Sequence, residues 1–226
     1  MRKLLFSLLL VISPLTQAIT LSDLSNKDAV SGLKQALTQG AGNAVATLGK
    51  TDGFLGNPKV KIPLPDQLQK VDGVLRTFGM GKYADELVTT MNRAAEAAVP
   101  EAKALLVQSV KDMSVQDAKG ILTGGDTSAT EYFRKKTHDP LAAKFLPIVQ
   151  KATAKVGLTQ KYDQFAGKAA SFGLVDENQA NIEKYVTQKA LDGLYLMIAE
   201  EEKAIRKDPV GQASNILSKV FGALRQ

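Results

Sequence analysis

The chain has 226 residues, no cysteine, one histidine and a formal net charge of +6, with 44% hydrophobic residues and a mean hydropathy of −0.08. Those figures exclude disulfides and make a zinc centre improbable, so stability has to come from an apolar core, which a chain of this length can build. The charge is mildly basic, and the lysines are spread along the chain rather than gathered into a stripe that would track a phosphate backbone.

Arg2 and Lys3 precede an apolar run from Leu4 to Leu15, and Thr16-Gln17-Ala18 offers small residues where a signal peptidase reads. This predicts a cleaved signal peptide over residues 1–18, a single domain over 19–226, and a periplasmic or secreted protein. The run is shorter than the roughly 20 apolar residues that span a bilayer, so no transmembrane segment is expected in the mature chain. Losing Arg2 and Lys3 with the leader lowers the charge from +6 to +4. Export argues against nucleic acid as a partner and leaves an acidic partner or a negative membrane surface open.

From Ser25 to Leu48, apolar residues recur at three and four, the period of a helix with one buried face. Turn-formers then dominate residues 51–58, and Lys59-Val60-Lys61-Ile62-Pro63-Leu64-Pro65 alternates apolar with lysine or proline. Period two means extended chain, either pairing with Gly53 to Leu55 in a small hairpin or lying across helices, with the prolines restricting it to an edge. From Asp66 the pattern is helical almost to the end. Helices are expected from Asp66 to Phe78, from Tyr83 to Val99, and from Pro100 through Val110.

The most densely specified backbone runs from Met113 to Thr137. Ser114 with Asp117, and Ser128 with Glu131, have capping-box spacing, with Asp126 or Thr127 as rival caps for the second helix. Gly124 and Gly125 between them suit a left-handed helix end and a close backbone approach. Asp139-Pro140 reads as the start of a helix through Phe145 and Ile148 that Pro147 must kink or split, followed by helices from Thr159 to Phe172, from Asn178 to Arg206, and from Asp208 onward. The decapeptide from Ala190 to Ala199 is apolar nearly all round, which places its helix at the centre of the domain. The fold class expected is all-α, one multi-helix domain with a short extended or hairpin segment near residues 53–65.

With these stretches laid out, the chain resembles the bacterial envelope proteins grouped as DUF4197. The resemblance is carried by Asn57 to Pro65, Met91 to Lys103, Met113 to Thr137, Phe145 to Val149 and Ala190 to Gly211. It implies an exported, mainly helical single domain and brings no activity, ligand or catalytic residue with it.

Few residues point to chemistry. Gly120 to Thr127 has the glycine spacing of a phosphate loop, but Asp126 stands where lysine is needed and the preceding residues read as helix. His138 is the sole histidine and sits beside an expected helix cap, so no hydrolase triad is indicated. Glu96 and Glu101 carry no signal as a carboxylate pair, and Glu200-Glu201-Glu202 reads as a solvated helix end with Glu202 placed to pair with Arg206. No cofactor or metal is expected.

Three readings follow. The first is a non-enzymatic module that binds an unidentified envelope protein, with Val60, Ile62 and Leu64 forming an edge whose unpaired backbone accepts another chain's strand. Asp192, inside the apolar decapeptide, is expected as a buried carboxylate that either forms an internal salt bridge to a lysine or arginine, the favoured reading, or stands at the floor of a pocket. The second reading takes the pocket: a carrier of a small apolar or anionic ligand held beside Asp192 and Tyr195 of the central helix. The third and weakest is an enzyme centred on Lys119, Asp126 and Arg134, with Gly124, Gly125 and Lys135 completing an anion site.

Overall fold

A computed structural model describes residues 26–79, 81–155 and 182–207, with isolated positions 157, 160 and 162. The expected leader, most of the helix from Thr159 to Phe172, and the helix from Asp208 onward lie outside the described residues. Within them the chain is all-α, with seven α-helices and no strand. They are α1 (Asn26–Leu48), α2 (Asp66–Thr77), α3 (Gly81–Ala98), α4 (Ala102–Lys111), α5 (Val115–Thr123), α6 (Ser128–Lys155) and α7 (Ile182–Lys207).

Helix α7 occupies the centre, as its apolar composition predicts, and packs against α6, α1 and α3. Leu191, Leu194, Tyr195 and Ile198 are buried in it. Helix α1 contributes Leu33, Leu37, Ala41, Val45 and Leu48 from one face, and α6 contributes Phe133, Leu141, Phe145 and Val149. These residues join one continuous core. Pro100 lies in a single 3-10 turn, Val99–Glu101, that carries α3 into α4. Helix α2 packs on α3, burying Leu68 and leaving Val74 and Phe78 exposed.

The capping box of α5 forms as its spacing predicts: the Asp117 amide donates to Ser114 Oγ (3.0 Å) and the Ser114 amide to Asp117 Oδ2 (3.1 Å). The second box does not. Ser128 Oγ instead donates back to the Gly125 carbonyl, and the amides of Ala129 and Thr130 at the start of α6 are capped from 73 and 72 residues away in sequence. Ala129 and Thr130 donate their amides to Glu202 of α7, at 3.0 and 2.9 Å, and Thr130 Oγ1 adds a third bond at 2.9 Å. Glu202 is therefore buried, not solvated, and its charge is matched by Arg206, whose guanidinium also donates to the Ile121 carbonyl at 2.9 Å. The expected pair with Arg206 is present; the expected exposure is not.

Gly124 is extended, with φ −85°, rather than left-handed. It is needed for close approach, because a Cβ there would run into the Ser128 side chain and the Gly120 carbonyl. Nor does Asp139-Pro140 start a helix, since both Pro140 and Pro147 lie inside α6. Each proline removes the donor for the carbonyl four residues back, at Lys136 and Ala143. Both prolines and both of those residues are exposed, which places the freed carbonyls on the solvent side of α6.

Candidate functional site: a fastened ridge between two grooves

Residues 51–65 run as turns and then extended chain between α3 and α7. The hairpin alternative is absent; the extended one is present, and side chains rather than a partner strand hold it. Asn92, fully buried on α3, accepts from the Ile62 amide (2.8 Å) and donates to the Ile62 carbonyl (2.8 Å), so its amide pairs with the chain as a neighbouring strand would. It also donates to the Val88 carbonyl at 2.7 Å. One turn on, buried Glu96 accepts from the amides of Phe54 and Leu55, both at 3.1 Å. Arg93 completes this side, bonding Glu96 at 2.7 Å and Asp52 at 2.8 Å.

Helix α7 holds the opposite side. Tyr185 donates its hydroxyl to the Pro63 carbonyl at 3.1 Å, and Lys59 pairs with Glu200. Burial pushes the Tyr185 phenol up to about 12. Gly193 lets the segment sit close: a Cβ there would lie 2.7 Å from Cε1 of the fully buried Phe54 and 3.3 Å from the Val60 Cβ.

Period-two alternation decides what the segment presents. Val60, Ile62 and Leu64 turn inward and are buried, while Lys59, Lys61 and Pro63 face out. The apolar set singled out from sequence is therefore committed to the core. The backbone is equally committed, because the Val60 and Lys61 amides both donate to the Asn57 carbonyl, at 3.1 and 2.8 Å, Ile62 is held by Asn92, and Pro63 has no N–H. Strand addition at residues 60–63 lacks donors.

What remains exposed is a ridge with a groove on each side. The larger groove, about 620 Å³, lies between the ridge, α2 and α3 and is lined by Leu55, Pro58, Lys61, Pro63, Asp72, Arg76, Asp85 and Val88 among others. Arg76 bonds Asp72 at 2.8 Å and Asp85 at 2.6 Å, and this guanidinium holds the Asp85 carboxyl below its ordinary range. The smaller groove, about 200 Å³, lies between the ridge and α7, with Lys59, Lys61, Pro63, Lys189, Asp192 and Leu196 in its walls.

Asp192 is partly exposed, with 44% of its side chain in contact with solvent, so the buried carboxylate expected from its apolar surroundings is corrected. It sits on the one face of α7 that meets water, accepts from Gln188 at 3.0 Å and lies 3.8 Å from Arg134. Tyr195 is fully buried, and burial raises its phenol; its hydroxyl shares a 2.9 Å bond with Thr137. The Arg134 guanidinium stands 4.6 Å from the Tyr195 ring centre, and His138 stacks on the same ring at 6.5 Å. These contacts fill the space that a pocket floor at Tyr195 would need.

Lys119, Gly125 and Asp126 are exposed near the α5–α6 junction, and no hydrogen bond or ion pair joins Lys119, Asp126 and Arg134 among the described residues. Lys135 and Lys136 act on Asp117, whose carboxyl is lowered chiefly by its bonds from Ser114 and further by these two lysines. No group of metal-ligating side chains occurs among the described residues, and no described helix is long and apolar enough to cross a membrane. The residues that sequence reasoning missed are Asn92 and Glu96. They lie four apart on the face of α3 that also buries Met91 and Ala95, and polar residues at helical spacing on a buried face were the available signal.

No curated protein and no solved structure matches this chain. Residues 23–222 match one family, and on that match the chain belongs to the family described as Protein of unknown function (DUF4197).

Proposed function

We propose that this is an exported, periplasmic, non-enzymatic binding module that takes a segment of another envelope protein on the ridge at residues 58–63. Export rests on the basic, apolar and small-residue succession of residues 1–18. The observation that carries the binding reading is the fastening of the ridge. Buried Asn92 and Glu96 hold the backbone so that Pro58, Lys59, Lys61 and Pro63 stand out between two open grooves. A surface held in its presented shape loses little entropy on binding. Recognition there is by side chains, not by strand addition.

The carrier and enzyme readings have less support. Tyr195 is buried with Arg134 and His138 against its ring, and no hydrogen bond or ion pair joins Lys119, Asp126 and Arg134 among the described residues. The test is a photo-cross-linking residue placed at Pro63 in intact cells, with a second placed at exposed Lys103 on α4 as control. Protein adducts from position 63 and not from 103 support the proposal. Equal labelling, or none from 63, overturns it.

A further inference from the structure

The groove between the ridge and α7 has a charge imbalance that its own ion pairs do not remove. Lys59 is answered by Glu200, and Asp192 by Arg134 at 3.8 Å. Lys61 and Lys189 also line this groove, and among the described residues neither is in an ion pair. Lys189 lies against the Tyr185 ring, 5.6 Å from its centre, and Lys61 acts at longer range on Asp85 in the other groove. Leu196 lines the same groove and is 40% exposed, whereas the other large apolar residues of α7 are buried or partly buried.

From this we propose that the groove between the ridge and α7 takes an acidic segment of a partner protein, with carboxylates on Lys61 and Lys189 and an apolar side chain against Leu196. The inference rests on the binding reading above and adds the chemistry of the partner. Two lysines without ion pairs in the lining of a groove of about 200 Å³ give it a positive potential that favours an incoming carboxylate. Asp192 opposes an acidic ligand, but it is already engaged by Gln188 and Arg134. An extended acidic chain with spaced apolar residues meets both kinds of contact, whereas a small anion meets only the charge.

The test uses the purified protein and two fluorescein-labelled probe peptides of equal length, repeats of Glu-Glu-Leu and of Gln-Gln-Leu, followed by fluorescence anisotropy. The acidic peptide is expected to bind at least about tenfold more tightly, with affinity falling as salt rises. Lys61→Glu with Lys189→Glu is expected to abolish that preference, and Lys61→Arg with Lys189→Arg to keep it. Lys61 is exposed and Lys189 partly so, and unchanged circular dichroism separates loss of binding from loss of fold. Equal binding of the two peptides, no binding of either, or a preference that survives the charge reversal overturns the inference. So does sedimentation with phosphatidylglycerol vesicles that exceeds binding to the acidic peptide, since the occupant is then a lipid surface. Cross-links from position 63 in cells, found together with failure of the acidic probe, leave the binding surface standing and reject only the acidic partner.

Discussion

Removing the Asn92 side chain, as Asn92→Ala, strands both polar groups of Ile62. In the native protein one carboxamide accepts at 2.8 Å, donates at 2.8 Å, and donates again to Val88 at 2.7 Å, all in a site with no solvent exposure. Ile62 itself is 1% exposed, so water does not replace the lost partner unless the segment lifts away. Leaving a buried donor or acceptor unsatisfied costs about 1–3 kcal/mol, so the amide and carbonyl of Ile62 together set a loss of about 2–6 kcal/mol. Against a net stability of roughly 5–15 kcal/mol this is a large fraction, and it is confined to one segment. Urea unfolding followed by circular dichroism measures the total, and hydrogen exchange of the Ile62 amide reports the site. The expected result is a midpoint moved well down with Ile62 exchanging much faster. A loss below about 0.5 kcal/mol with Ile62 still protected would refute the reasoning, because the ridge would then be held by something other than Asn92.

Three further outcomes are expected. Glu202→Ala leaves the Ala129 and Thr130 donors open and the Arg206 guanidinium uncompensated, for a loss of about 3–5 kcal/mol in chemical denaturation; a near-neutral result would deny Glu202 its capping role. Gly193→Ala gains about 1 kcal/mol of helix propensity but forces a methyl against Phe54, at a cost of about 1–3 kcal/mol, so net destabilisation is expected; a more stable variant would show that Phe54 has room to move. Tyr185 has its folded pKa raised from an ordinary value near 10 to about 12, so its contribution is fully present below about pH 10 and is lost as pH rises through 12. Tyr185→Phe is expected to flatten that part of the stability profile, and an unchanged alkaline profile would count against the buried phenol.

Local rules were legible in the sequence, and long-range ones were not. The three-and-four spacing of Leu33, Leu37, Ala41, Val45 and Leu48 specifies α1 without reference to anything else, and the Ser114 box of α5 closes within four residues. The Ser128 box had equal spacing and failed, because the Ser128 amide donates to the Gly125 carbonyl and the Glu131 amide to the Thr127 carbonyl, while Glu202, brought alongside by the packing of α7 on α6, takes the amides of Ala129 and Thr130. Pro140 and Pro147 look like breaks in one dimension. They are tolerated because the carbonyls they free are on the wet side of α6, a fact that only packing decides.

The candidate site follows the same division. Alternation at residues 59–65 announced an extended segment but not which side faced inward, and the apolar set went to the core while lysines and proline faced out. Asp192 fell within an apolar run, yet its position on the exposed stripe of α7 left it partly wet and within reach of Arg134. Asn92 and Glu96 looked unremarkable in an alanine-rich helix, because their partners, Ile62 and Phe54, lie 30 and 42 residues away in the chain.

The measurement that bears most directly on the fastened ridge as the working surface is photo-cross-linking from position 63 in intact cells, compared between the otherwise native protein and Asn92→Ala. The account predicts protein adducts in the first and their loss in the second at equal protein level, since the ridge binds only while Asn92 holds its shape. Adducts that persist undiminished in the Asn92→Ala protein would contradict it.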